Sequence, residues 1–178
     1  PNKIDDALGR ATDACDVLIT SGGVSVGDAD YIVERIRQHG ELAFWRLNLK
    51  PGKPLAFGQI RKRWIFGLPG NPISTIITAL LVAKPAIAHL AGTTMSTPMK
   101  IPAILKSSIT HTTGRTEYQR GQFEFDDNGY TVTHTGEQGS NRLSSFRHAN
   151  CLIEIDKTQG DMQIGDPVLI LPLTNLLH

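Results

Sequence analysis

Acidic side chains are absent from Leu42 to Thr116, a stretch that carries ten basic residues, with Arg46, Lys50, Lys53 and the run Arg61-Lys62-Arg63 among them. The formal net charge of the whole chain is still only +1, which gives no sign of a nucleic-acid partner. The charge is therefore local. Asp28 and Asp30 stand close together just upstream, so the simplest chemical reading is an anion site beside a carboxylate pair. Arg61-Lys62-Arg63 lies between two strand patterns and reads as a solvated turn outside that site. Cysteine is scarce. Cys15 and Cys151 stand far apart, which excludes a disulfide framework or a cysteine metal motif and makes a reducing cytoplasm the expected compartment. Long unbroken apolar runs are missing too. The longest, Ile73 to Leu90, is interrupted by Ser74, Thr75, Thr78, Lys84 and Pro85, which predicts a poor membrane span and no membrane partner. No signal peptide is visible. The chain opens at Pro1 without an initiator Met and is expected to be a piece of something longer.

What is present suits a folded protein. The chain has 178 residues, 40% of them hydrophobic and 20% charged, enough for one sizeable core or two small ones. Ile4, Leu8 and Ala11 recur at helical spacing and predict a helix over 3–14. Asp16-Val-Leu-Ile-Thr20 is the short apolar run of a buried parallel strand. After a Gly-rich loop, Ile32, Val33 and Ile36 share one face of a predicted helix that Gly40 stops. Strands are predicted over 42–48, 54–60 and 64–68. Asn71-Pro72 then opens a long helix to about Leu90, with Asn as N-cap and Pro in the first turn. This rhythm predicts a three-layer α/β domain with a mainly parallel sheet over residues 1–95. GTTMSTPMKIP (92–102) reads as a linker. Short, alternating, β-branched segments follow at 101–109, 116–125, 130–135, 150–155 and 167–171, separated by turn signals such as Asp127-Asn128-Gly129, and predict a small all-β domain, a barrel or a sandwich, over 100–178.

Three strand-to-helix or strand-to-strand loops carry the candidate chemistry. In Ser21-Gly22-Gly23-Val24-Ser25-Val26-Gly27, glycines allow backbone N–H groups close to a ligand and can form an anion nest at a helix N-terminus, with Ser21 and Ser25 as hydroxyl donors. The spacing is neither the dinucleotide fingerprint nor the Walker loop. A tight turn without ligand is the plain alternative. Asp28 and Asp30 next to such a nest make sense if a divalent cation, Mg²⁺ by donor type, bridges them to phosphate; helix capping is the alternative. In Lys50-Pro51-Gly52-Lys53-Pro54 two ammonium groups sit on a loop stiffened by proline, ready for an oxyanion. Gly67-Leu68-Pro69-Gly70-Asn71-Pro72 presents a third loop and another helix N-terminus, or a capped turn only.

Together TSGGVSVGDADY (20–31), KPGKP (50–54) and GLPGNP (67–72) resemble the C-terminal portion of the molybdopterin molybdenumtransferases, a family that includes the gephyrin E domain. Residues 1–95 resemble the end of the pterin-binding domain shared with the molybdopterin adenylyltransferases. Residues 100–178 resemble the family's C-terminal β-barrel, with support from Thr135-Gly136-Glu137-Gln138-Gly139-Ser140, Leu143-Ser144-Ser145-Phe146 and Ala149-Asn150. The resemblance implies a transferase that takes adenylylated molybdopterin and molybdate, releases AMP and leaves molybdenum on the dithiolene. It implies that Gly22, Gly23, Ser25 and Gly27 cradle the pterin phosphate, and that Asp30, with Asp28 nearby, holds Mg²⁺. Lys50 and Lys53, with Arg46 and Ser25, would bind molybdate. Pro69, Gly70, Asn71 and Pro72 would wall the pocket, and Arg120 and Ser140 would complete the oxyanion site. It also implies a homodimer. The family's two N-terminal domains and the first carboxylate loop of its pterin-binding domain are not in this sequence, so poor turnover is expected if the chain is all there is. An adenylyltransferase and a non-catalytic, gephyrin-like interaction module are the rival readings; the β segment speaks against the first.

Overall fold

A computed structural model describes residues 2–23, 31–93, 98–127, 129–136, 138–139 and 146–177. The chain divides into two compact units, Pro1–Leu47 with Gly52–Gly92, and Asn48–Pro51 with Thr93–His178. The surprise relative to a split at the 92–102 linker is the short piece 48–51, which leaves the first unit and joins the second.

The first unit runs α1 (Asn2–Ala14), β1 (Val17–Ser21), α2 (Tyr31–His39) and β2 (Gly40–Trp45). After β3 (Leu49–Lys50), which belongs to the second unit, come β4 (Ala56–Ile60), β5 (Arg63–Leu68), α3 (Pro72–Thr78), a π-helical segment (Ala79–Ala83) and α4 (Lys84–Leu90). The sheet order is β1-β5-β4-β2. Its two faces carry separate cores. Ile65 joins Ile32, Val33, Ile36, Ala56 and Ile60 on the α2 side. Its neighbour Phe66 joins Leu55, Leu68 and Ala83 on the other, where Ala79, Val82 and Ile87 of the long helix pack. Adjacent strand residues point to opposite faces, so the three-layer α/β reading stands.

The sheet itself is mixed, where the sequence reading expects it to be mainly parallel. Only β1 and β5 pair in parallel; β5–β4 and β4–β2 are antiparallel. The cause is connection length. Arg61 and Lys62 form a two-residue turn with both φ values positive, 51° and 64°, and such a turn joins antiparallel strands, whereas a parallel pair needs a crossover of about a dozen residues or more. Gly40 permits the β2–β4 pairing: a Cβ there would lie 1.7 Å from the Gln59 carbonyl oxygen. Gly40→Ala is therefore expected to destabilise the chain by about 1–3 kcal/mol through forced separation of these strands; an unchanged urea midpoint would refute the close approach.

The helix from Pro72 to Leu90 starts as its sequence predicts. The Asn71 side chain accepts the Ile73 N–H at 3.2 Å and Pro72 occupies the first turn. Inside it, Pro85 has no N–H for Leu81, and the π segment just before it lets the Lys84 N–H reach Ala79 O; this is the wider turn by which a helix absorbs such a defect. With a mean hydropathy of 1.7 over its apolar window, the helix is long and apolar enough to cross a membrane by length and composition alone, contrary to the expectation from its polar interruptions. Those interruptions are locally satisfied: Thr75 and Thr78 donate to carbonyls one turn back.

The second unit contains β6 (Ile101–Leu105), β7 (Thr116–Asp126), β8 (Gly129–His134), β9 (Cys151–Ile155) and β10 (Pro167–Pro172), followed by the short α5 (Leu173–Leu177). The order β7-β8-β6-β10-β9, with β9 returning to β7, closes a five-stranded barrel. Long strand β7 makes closure possible by pairing twice. Its first half faces β9 and its second half β8, with Gly121 opposite both Cys151 and His134. Inward residues Leu105, Val132, Cys151, Ile153, Ile155 and Ile170 fill the centre. Strand β3 adds to the start of β7, with Lys50 opposite Glu117.

Candidate functional site

Three loops leave the first unit's sheet at one end. The registers align Thr20, Gly67, Ala56 and Trp45 in a single row across β1, β5, β4 and β2, with neighbouring strands about 4.8 Å apart. Beyond that row lie the Gly-rich loop after β1, the Pro69–Asn71 loop after β5, and the β2–β4 connection that contains KPGKP.

The first two loops touch. The Gly22 N–H donates to Leu68 O at 3.0 Å, and the Ser21 hydroxyl donates to Pro69 O at 3.3 Å. A Cβ on Gly70 would come within 3.3 Å of Gly22 Cα. Gly22 and Gly23 have φ of 90° and 72°, a left-handed conformation open to glycine and strained for other residues. The Gly22 amide is thus taken up within the protein. After this contact the chain diverges. From β1 it enters α2, on the Ile32–Ile36 core side; from β5 it enters the long helix on the Phe66 side. Adjacent parallel strands whose connections go to opposite faces open a crevice at their C-terminal ends, the usual ligand position in α/β sheets. Asn71 and Pro72 head the helix on its far wall.

The β2–β4 connection is closed at its base by Arg46 N–H to Leu55 O (3.1 Å) and Leu47 N–H to Lys53 O (2.7 Å). Arg46 holds a φ of 85°, which explains why β2 ends earlier than the predicted 42–48, and its guanidinium stacks 3.9 Å over the Trp45 ring, a cation–π contact. The Lys53 side chain is exposed. Lys50 behaves differently. Its ammonium lies 2.9 Å from Glu117 Oε2, with the Lys50 side chain 44% exposed and that of Glu117 only 5%.

Around Glu117 the second unit keeps a buried polar cluster. The Gln119 amide donates to Glu117 Oε1 at 3.2 Å. His111 Nε2 is 3.7 Å from Oε2, and its ring nitrogens also face Gln159 O and Arg115 O. Arg120 is wholly buried. Gln138 brackets the Arg120 backbone, accepting its N–H and donating to its carbonyl, and the Arg120 guanidinium reaches Gly139 O at 3.4 Å. Burial lowers the Arg120 pKa and the Glu117 carboxylate opposes that shift. The Arg120 guanidinium is thus a buried cation within the second unit. Ser25, Gly27, Asp28, Asp30 and Ser140 lie outside the described residues. Among the described residues no group of three or more His, Cys, Asp or Glu could hold a metal ion. Glu117 and His111 are absent from the sequence-derived site. The available signal was that Glu117 is the first carboxylate after the acid-free stretch.

Comparison with known proteins agrees with this architecture. Residues 1–89 match the model of a probable molybdopterin binding domain, and residues 102–173 that of the MoeA C-terminal region, domain IV. The chain is 37% identical over 177 residues to a molybdopterin molybdenumtransferase of Haemophilus influenzae, covering 98% of this chain and 44% of that protein. It is 32% identical to gephyrin of Dictyostelium discoideum, covering 98% of this chain and 29% of that protein. A crystal structure of the molybdopterin biosynthesis MoeA protein from Pyrococcus horikoshii superposes with a TM-score of 0.75 at 26% identity, over 95% of this chain and 40% of that one. The chain therefore spans less than half the length of these relatives. With half of its length matched by the first of those models, the chain belongs to the family of the probable molybdopterin binding domain, and it carries a MoeA C-terminal region after it.

Proposed function

We propose that this chain acts in molybdenum cofactor biosynthesis, inserting molybdate into adenylylated molybdopterin with release of AMP. The observation that carries this reading is the crevice where β1 and β5 send their helices to opposite faces, with a basic loop at the same end of the sheet. Gly23 and the Ser25–Gly27 segment receive the substrate's phosphates at the start of α2, where helix dipole and backbone amides favour anions. Pro69, Gly70, Asn71 and Pro72 form the opposite wall. Lys53 binds molybdate as a point charge and, with Arg46, stabilises negative charge on molybdate and phosphate oxygens as the phosphoanhydride breaks. Arg46 is held for that task by Trp45. Asp30 and Asp28 have the donor chemistry for Mg²⁺, which one or two carboxylates hold together with phosphate. When bound, the ion would offset phosphate charge. The protein works as a homodimer in the cytoplasm.

The deciding experiment is an assay of the complete polypeptide with adenylylated molybdopterin. AMP release that requires molybdate is the expected result. Pyrophosphate release from ATP and molybdopterin would instead indicate an adenylyltransferase. Binding of a protein partner without either turnover would leave an interaction module.

A further inference from the structure

We infer that Glu117 is a positioning residue that anchors Lys50, so that the two lysines of KPGKP divide their work: Lys50 fastens the loop and, of the two, only Lys53 meets the oxyanion. The inference rests on the functional reading above for the role of Lys53, and on geometry for the role of Lys50.

Glu117 is a buried carboxylate, 4% exposed, at the start of β7. Its Oε1 accepts from Gln119. Its Oε2 has no aligned hydrogen-bond donor among the described residues, so its compensation is charge: the Lys50 ammonium lies 2.9 Å away, and the buried Arg120 guanidinium adds a second, more distant cation. A buried carboxylate that loses its cation is strongly disfavoured, so Lys50 is held there. The backbone confirms the direction of the pull. Residues 49–50 lie in parallel register with 116–117, and the Thr116 N–H donates to Asn48 O. Residues 48–51 accordingly belong to the barrel unit, while Lys53, three positions from Lys50, returns to the sheet unit through its carbonyl bond with Leu47. The Lys53 side chain is exposed and, among the described residues, in no ion pair. A lysine already neutralised by a buried acid is a poor oxyanion ligand; one exposed and in no ion pair is a good one.

The test reads molybdate affinity by calorimetry and urea stability on the complete polypeptide, for Glu117→Gln, Lys50→Met, their double variant, Lys50→Arg and Lys53→Met. Glu117→Gln removes a negative charge, so by electrostatics alone it should tighten molybdate binding. The positioning role expects the opposite, a loss of about fivefold to tenfold, within the range for displaced supporting groups. Glu117→Gln and Lys50→Met should each lower the urea midpoint, and the double variant should go no lower than the worse single, the mark of one shared interaction. Lys50→Arg keeps the cation and should keep both stability and affinity. Lys53→Met should lose affinity by about tenfold or more at unchanged stability, as for a direct charged contact. Tighter binding in Glu117→Gln, or additive stability losses, would overturn the anchor. If the unaltered protein binds no molybdate, the functional reading and the role of Lys53 fall, and the urea cycle alone still decides whether Glu117 holds Lys50.

Discussion

Asp30→Asn in the complete polypeptide is expected to lower molybdate-dependent AMP release by about 10²–10³-fold, the range for loss of one group that stabilises charge in the reaction, at nearly unchanged stability. The choice of Asn matters. Helix α2 begins at Tyr31, and helix capping is the plain alternative role for an Asp that precedes a helix in sequence. Asn caps a helix about as well as Asp, whereas Ala loses roughly 1 kcal/mol. A purely capping Asp30 therefore predicts that Asn is silent in both activity and stability, and that Ala destabilises. A charge role predicts that Asn already removes turnover, and that raised Mg²⁺ partly restores it. Wild-type turnover in the Asn variant would take Asp30 out of the reaction and leave it as a cap.

Stability is expected to fall steeply above pH 9 because of the barrel interior. Burial pushes the Cys151 thiol from its ordinary value of 9.0 up to about 12, and burial together with the Glu154 carboxylate, to which its hydroxyl donates, raises Tyr118 as well. Between pH 9 and about 12 the unfolded chain gives up the thiol proton and the folded chain keeps it. The folded state then binds more protons, so stability drops as pH rises, by about 1.4 kcal/mol per pH unit. At pH 10.5 the thiol alone removes about 2 kcal/mol relative to neutral pH, and Tyr118 acts in the same direction above pH 10. Urea unfolding at pH 7.5 and 10.5 measures this. Cys151→Ala should be less stable than the parent at pH 7.5, yet lose about 2 kcal/mol less on going to pH 10.5. Equal alkaline losses in both proteins would show that the thiol is not kept protonated by the barrel.

Much of the fold was legible along the chain because it is encoded within a turn or a strand. Ile32, Val33 and Ile36 lie on one helical face and are the buried residues of α2. Asn71-Pro72 needs only its own first turn to cap a helix. The apolar, β-branched segments 150–155 and 167–171 read as strands, and Cys151, Ile153, Ile155, Val168 and Ile170 from them lie in the barrel core. The candidate loops were legible for the same reason, since glycine and proline act on their own backbone.

Partners distant in sequence were not legible. The parallel or antiparallel sense of each strand pair depends on which neighbour arrives beside it, and here a two-residue turn made β4 and β5 antiparallel. Nothing near Lys50 announces Glu117, and nothing near Arg120 announces that its guanidinium is closed inside the second unit. The sequence by itself determined the two kinds of core, the capped helix ends and the basic, glycine-marked loops, because short-range sterics and periodicity suffice for these. Only the tertiary structure decided that two loops share a crevice and that one of two neighbouring lysines is claimed by a buried acid, because burial and pairing are set by long-range packing.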